Sequence, residues 1–125
     1  MIRVAINGVA GRMGRTLVEA VAENPKAELT VALEHPQSSL LGADVGEMSG
    51  AGKTGVLIAA DLAQNVEQFD VLIDFSAPGA TLANAKLCAA HDKKMVIGTT
   101  GFNDADKSEL MAAIESISVV MAANY

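Results

Sequence analysis

Met1-Ile2-Arg3-Val4-Ala5-Ile6-Asn7-Gly8-Val9-Ala10-Gly11-Arg12-Met13-Gly14 opens the chain, and Arg15-Thr16-Leu17-Val18-Glu19-Ala20-Val21-Ala22-Glu23 follows. The first six or seven residues are a short apolar run with β-branched Ile2, Val4 and Ile6, which reads as a strand. The second segment carries apolar residues at helical spacing. Strand, glycine turn and helix in immediate succession are the setting that a dinucleotide-binding turn requires. A glycine directly after the strand permits backbone angles that a side chain forbids. A second lets the backbone approach a pyrophosphate, and a third lets the helix pack close to the sheet. The helix start then offers unpaired N–H groups and a partial positive charge to the phosphates. The glycines are Gly8, Gly11 and Gly14, so the spacing is G-x-x-G-x-x-G, and Ala10 stands where the commoner pattern has its second glycine.

Downstream of this turn, Asn24-Pro25 breaks the helix, and Glu28–Glu34 (ELTVALE) reads as a second strand. Its last residue, Glu34, lies twenty positions past Gly14. An acidic side chain at that point of a βαβ unit accepts hydrogen bonds from the adenine ribose. Residues 35–55 show no clean period and are expected to form a long loop. Within it, Gly50-Ala51-Gly52-Lys53-Thr54 resembles the tail of a phosphate-binding P-loop, but the glycine required five positions before Gly52 is Glu47. Lys53 is therefore read as a loop lysine.

The remainder alternates regularly. Val56–Ala59 is a third strand, and Asp61–Val66 a short helix with Asp61 as its N-cap. Asp70–Phe75 (DVLIDF) is a fourth, central strand. Pro78 starts a helix that includes Thr81–Ala90. Met95–Ile97 is a fifth strand running into Gly98-Thr99-Thr100-Gly101. Asn103 or Asp104 caps a helix reaching about Ser116, and Ser118–Ala122 is a sixth strand. Cys88, inside a small apolar helix, reads as a buried thiol with no activating neighbour. His91 reads as solvated. This alternation predicts an α/β fold: a doubly wound parallel sheet of the Rossmann type, ordered 3-2-1-4-5-6, in one domain over residues 1–125.

Composition agrees and narrows the function. Half of the 125 residues are hydrophobic, yet there are only three Phe, one Tyr and no Trp, so the core is aliphatic, as a buried parallel sheet needs. A net charge of −6 argues against nucleic acid as a partner. A single cysteine permits no internal disulfide and suits a reducing compartment. No signal-peptide pattern or membrane-length apolar run is visible, so a cytoplasmic location is expected.

Four stretches together closely resemble the N-terminal part of bacterial dihydrodipicolinate reductase, also called 4-hydroxy-tetrahydrodipicolinate reductase. They are Gly8–Gly14, Leu40-Leu41-Gly42 with Gly50–Gly55, Met95-Val96-Ile97-Gly98-Thr99-Thr100-Gly101-Phe102, and Ala122-Ala123-Asn124-Tyr125. The resemblance spans the whole chain, and the third and fourth stretches are much more specific than the glycine turn. It implies a reductase of the diaminopimelate route to lysine that uses NADH or NADPH. By position, it implies that Gly8, Val9, Ala10, Gly11, Arg12 and Met13 cradle the pyrophosphate and that Glu34 meets the adenine ribose. It implies that Gly98, Thr99 and Thr100 lie on the nicotinamide side, and that Ala122, Ala123, Asn124 and Tyr125 line the nicotinamide end.

Two departures carry weight. Family members that use NADPH well often place an Arg after the acidic residue, where it grips the 2′-phosphate; here that residue is His35. NADH is therefore expected to serve at least as well as NADPH. The family's second domain, a substrate and tetramerisation module with a His-rich catalytic segment, has no counterpart in these residues. The chain is expected to supply no catalytic residue and no metal ligand, to be inactive alone, and to be monomeric where the whole family protein is a homotetramer. Two other readings stay open at this point. A short-chain dehydrogenase needs Tyr-x-x-x-Lys, but the lone tyrosine is Tyr125, and a semialdehyde dehydrogenase needs an activated cysteine. A non-catalytic NAD-binding module or redox sensor is the alternative from another class.

Overall fold

The computed structural model describes residues 1–50 and 52–121. Six strands form one parallel sheet: β1 (Ile2–Asn7), β2 (Ala27–Leu33), β3 (Ile58–Ala59), β4 (Val71–Asp74), β5 (Lys94–Ile97) and β6 (Val119–Met121). Their order is β3-β2-β1-β4-β5-β6, as the alternation predicts. Four α-helices connect them: α1 (Arg12–Glu23), α2 (Val45–Ser49), α3 (Pro78–Ala90) and α4 (Asp104–Ala113).

The strands bury both faces because residues alternate across them. Ala5, Leu72, Met95 and Ile97 point into one apolar cluster, with Ala85 and Cys88 of α3 and Leu110 of α4. Val4 and Ile6 point the other way, into a cluster with Val18 and Val21 of α1 and Val45 of α2. Each long helix contributes a stripe at i, i+4, i+7: Gly14, Val18 and Val21 on α1, and Thr81, Ala85 and Cys88 on α3. At about 25 cal/mol per Å2 of apolar surface, this aliphatic burial is the main stabilising term.

Some boundaries differ from the sequence expectation. The segment 35–55 is not a plain loop. Asp44 caps α2 by accepting from the N–H groups of Gly46 and Glu47, at 2.9 and 3.2 Å. The same carboxylate accepts from the backbone N–H groups of Thr54 and Gly55 and from the Thr54 hydroxyl. One side chain thus folds the segment back on itself. The expected helix at Asp61–Val66 is a 3-10 turn over Ala63–Gln68; Asp61 still accepts from the Ala63 N–H, at 2.9 Å, but stands before the cap position. Helix α4 ends at Ala113, short of Ser116, and begins with a capping box between Asn103 and Asp106. Strand β6 starts at Val119, and Ala122 lies outside the described residues.

Candidate dinucleotide site

The carboxyl ends of β1, β4 and β5 meet where the sheet order reverses, the position at which open parallel sheets bind ligands. The glycine turn between β1 and α1 lies there, and its three glycines answer to different demands. Gly8 has φ +89°, and a Cβ on it would overlap the carbonyl oxygen of Phe75. A Cβ on Gly14 would overlap the Gly8 carbonyl and lie 2.7 Å from the Val9 Cα. Those two positions are glycine because the fold needs them. Gly11 differs. Its backbone is extended, at φ −72° and ψ 169°, and a Cβ there would meet nothing nearer than the Gly8 oxygen at 3.5 Å. The packing of the chain leaves room for a side chain at position 11.

Gly11 is also the N-cap of α1. No side chain caps this helix, and its first turn contains no acidic residue. Arg12 and Met13 are exposed beside it, while Val9 is buried beneath the turn. The Arg15 guanidinium donates to the Ala10 carbonyl at 3.2 Å, a contact not foreseen from the sequence, although an Arg one turn into the helix is within reach of that loop.

Glu34 follows β2 directly, and the β1–β2 pairing brings it to the turn. Its Oε2 accepts from the Ala10 N–H at 2.9 Å and its Oε1 from the His35 N–H at 3.3 Å. The Glu34 side chain is 11% exposed; that of His35 is 64% exposed, with Nε2 3.9 Å from Glu34 Oε1. Glycine turn and acidic residue, separated in sequence, are thus joined by a hydrogen bond. Beside them, past the ends of β2 and β3, Pro36, Ala60, Leu62 and Leu87 line a shallow, largely apolar cleft, with Asp61 and Asn84 as its polar members.

On the other side of the reversal, Gly98 N–H donates to the Asp74 carbonyl at 2.9 Å. A Cβ at Gly98 would overlap the Phe75 ring, so this glycine admits an aromatic side chain. Thr99 is buried. Its hydroxyl accepts from the Ser76 N–H (3.0 Å) and from the Thr81 hydroxyl (2.7 Å), and it donates to the Asp74 carbonyl (3.3 Å). What Thr99 can offer a ligand is therefore backbone. Thr100 is exposed. Ala122, Ala123, Asn124 and Tyr125, named from the resemblance, lie outside the described residues.

The sequence reading missed the acid at the centre of this edge. Asp74 is fully buried, and burial pushes its carboxyl above the ordinary range against hydrogen bonds from Ser76, Asn84 and Asn7 that pull it down. An Asp closing an apolar strand, followed by Ser76, was the available signal. Cys88 is buried, and desolvation, followed by the nearby Asp74 charge, pushes its thiol up to about 12; it is not a nucleophile. Among the described residues, no helix is long and apolar enough to cross a membrane.

Comparisons with known proteins agree with this architecture. Residues 2–125 match the family model described as dihydrodipicolinate reductase, N-terminus. The fold is similar to that of a dipicolinate-bound dihydrodipicolinate reductase from Paenisporosarcina sp. TG-14, with a TM-score of 0.76 and 28% identity, covering 99% of this chain and 48% of that one. The chain therefore spans about half the length of that enzyme. Two more distant likenesses concern the fold alone. An amine dehydrogenase from Mycobacterium smegmatis gives a TM-score of 0.73 at 21% identity, covering 96% of this chain and 38% of that one. A probable dehydrogenase from Thermotoga maritima gives 0.75 at 18%, covering 97% and 36%.

Proposed function

The chain belongs to the dihydrodipicolinate reductase N-terminus family, and we propose that residues 1–125 are the dinucleotide-binding domain of a reductase acting on a cyclic imine dicarboxylate in the diaminopimelate route to lysine. The observation that carries this reading is Gly11. The fold leaves space for a side chain at the N-cap of α1, yet the position is glycine and the helix start is uncapped. A ligand pyrophosphate accounts for both facts, because it occupies that space and accepts from the helix-start N–H groups.

The residues fit the cofactor in order. Gly8, Val9 and Ala10 shape the turn, Gly11 leaves the space, its own N–H being donated to the Gly8 carbonyl, and Arg12 and Met13 present N–H groups and one cation to the pyrophosphate. Glu34 accepts from the adenine ribose hydroxyls, with His35 beside it, and the Pro36–Ala60–Leu62–Leu87 cleft takes the adenine. Gly98, Thr99 and Thr100 border the nicotinamide side, and Ala122, Ala123, Asn124 and Tyr125 complete that end. When bound, the nicotinamide ring supplies the hydride. The work of this chain is to bind and orient. Substrate, proton donor and the contacts of a homotetramer belong to the other half of the family protein, which acts in the cytoplasm. The dipicolinate bound to the Paenisporosarcina enzyme is a cyclic dicarboxylate, the class of substrate proposed here.

NADH is expected to bind at least as well as NADPH. A 2′-phosphate would set its charge against the Glu34 carboxylate, and His35 lacks the permanent, bidentate charge of an arginine. The test is calorimetric titration of the 125-residue chain with NADH and NADPH at pH 8. Failure to bind either cofactor at millimolar concentration refutes the proposal. A tenfold NADPH preference, about 1.4 kcal/mol, refutes the reading of Glu34 and His35. Turnover of the imine substrate by this chain alone would refute its assignment as a binding half.

A further inference from the structure

A buried acid at the centre of this edge has no assigned role in the cofactor contacts described above. Asp74, at the end of β4, is wholly buried. Its Oδ1 accepts from the Ser76 hydroxyl and from the Asn7 amide (3.3 Å); its Oδ2 accepts from the Asn84 amide (3.1 Å). Asn7 closes β1 immediately before the glycine turn, Ser76 lies in the β4–α3 loop, and Asn84 is on α3. Thr81 of α3 donates to the Thr99 hydroxyl, which also takes the Ser76 N–H, so the β5–α4 loop joins the same set.

The proton count is complete. With Asp74 ionised, both amides and the Ser76 hydroxyl point hydrogens at the carboxylate, Thr81 points its hydrogen at Thr99, and Thr99 points its own at the Asp74 carbonyl. No buried side-chain nitrogen or oxygen among the described residues lacks a partner. A carboxylate is the only side chain of this shape that accepts on both oxygens. Burying it is unfavourable unless hydrogen bonds compensate. An apolar residue would fill the volume without that requirement, but it would not orient these loops.

We propose that Asp74 is a positioning residue of the dinucleotide site: by tying Asn7, Ser76 and Asn84 together, and the Thr99 loop through Ser76 and Thr81, it holds the β4–α3 and β5–α4 loops in one arrangement against the end of β1, for the nicotinamide half of the cofactor. This rests on the proposed dinucleotide reading. The adenine half is held by Glu34 and the cleft past β2 and β3; Asn84 is the member of the Asp74 set that also lines that cleft, so Thr81→Val, which leaves Asn84 in place, is the cleaner variant for separating the two halves of the ligand.

The experiment compares NADH with ADP-ribose, which lacks the nicotinamide, by titration calorimetry on the 125-residue chain, with thermal unfolding alongside. Asp74→Asn turns an amide nitrogen toward a donor, either Asn7 or Asn84. It is expected to weaken NADH about tenfold while changing ADP-ribose by less than about twofold. Exchanging the groups, in the double variant Asn7→Asp with Asp74→Asn, restores a carboxylate–amide pair in reverse: Asn84 donates to the new amide oxygen, and the new amide nitrogen and Ser76 donate to the new carboxylate. It is expected to recover NADH affinity to within about threefold of wild type. Thr81→Val, which removes the hydroxyl that donates to Thr99 and stands 3.4 Å from Ser76 Oγ but leaves the Asn7 and Asn84 bonds to Asp74, is expected to give a weaker selective loss and serves if Asp74→Asn does not fold. Equal loss of both ligands in Asp74→Asn and Thr81→Val would show a merely structural role and overturn the proposal. So would undiminished NADH binding in folded single variants, or an exchange variant that folds without recovery. Wild-type chain that binds neither ligand would refute the dinucleotide reading itself, and the inference with it.

Discussion

Replacing Gly11 by serine separates what the fold needs from what the ligand needs. Position 11 already has the extended angles of a capping residue, φ −72° and ψ 169°, and the added Cβ would sit 3.5 Å from the Gly8 oxygen, an ordinary contact. The serine hydroxyl can accept from the N–H of Met13 or Gly14, worth a few tenths of a kcal/mol over glycine. Removing a glycine from the unfolded chain adds about 0.4–1 kcal/mol where the native angles suit the new residue. Together these give about 1 kcal/mol, a rise in Tm of about 4 °C for a domain of this size. The same hydroxyl takes a donor from the pyrophosphate and fills the space it needs. Loss of one hydrogen bond to a charged group costs about 1.5–3 kcal/mol, which is a tenfold or greater loss in affinity. Scanning calorimetry and NADH titration on Gly11→Ser read both quantities. Unchanged NADH affinity in the more stable variant would show that the pyrophosphate does not sit at this helix start. A Tm lowered by several degrees would show that the fold itself requires glycine at 11.

Gly14→Ala is expected to fail in the opposite way: its Cβ meets the backbone of Gly8 and Val9, which cannot yield as a side chain would, so α1 must move off β1; urea unfolding should show a loss of about 1–3 kcal/mol. At Asp44, burial alone would raise the carboxyl, but the Thr54, Gly55 and Glu47 N–H groups and the Thr54 hydroxyl outweigh it and hold it well below the usual carboxylate range. Because the folded-state value is depressed, the stability Asp44 contributes is present above the unfolded value of about 4 and is lost as pH falls toward the folded one. The urea midpoint of wild type should therefore exceed that of Asp44→Asn at pH 7, with the gap narrowing below about pH 4; a gap that widens in acid would contradict the Asp44 geometry. Cys88, buried and with its thiol raised to about 12, should react with a disulfide reagent at pH 8 only as fast as the domain opens, and rapid labelling of the native chain would contradict its burial.

The strands were legible because each carries a short aliphatic run, and the sheet order because β and α alternate from β1 onward. The glycine turn and Glu34 were legible for the same local reason, although the hydrogen bond from Ala10 to Glu34 follows only once β2 pairs with β1. Helix α2 was not foreseen, yet its signature was present: Asp44 with Glu47 three residues later, then Gly50, which takes φ +83° at the helix end. The glycines and serines around it masked that pattern. The Asp74 set could not be read from any window, since Asn7, Asp74 and Thr99 come from three strand ends that only the parallel pairing of β1, β4 and β5 brings together.

That pairing also explains why this edge is polar. Where β1 and β4 end, the ladder carries one step further, with Phe75 N–H donating to the Asn7 carbonyl and Gly98 N–H to the Asp74 carbonyl. Beyond that the loops diverge, and the Ser76 N–H has no strand to donate to. The buried Thr99 hydroxyl supplies the acceptor. An apolar residue at 99 would remove that acceptor and leave the Ser76 N–H to water. The opposite edge of the sheet solves its equivalent problem with solvent-exposed charge: Arg3 and Asp70 form a paired contact at 3.0 Å between the starts of β1 and β4. Water can replace much of such a surface pair, but it cannot replace Asp74, Thr81 and Thr99 without opening the crevice. The buried solution therefore stands at the end of the sheet where loop positions must be held for a ligand, and the exposed one at the end where they need not be.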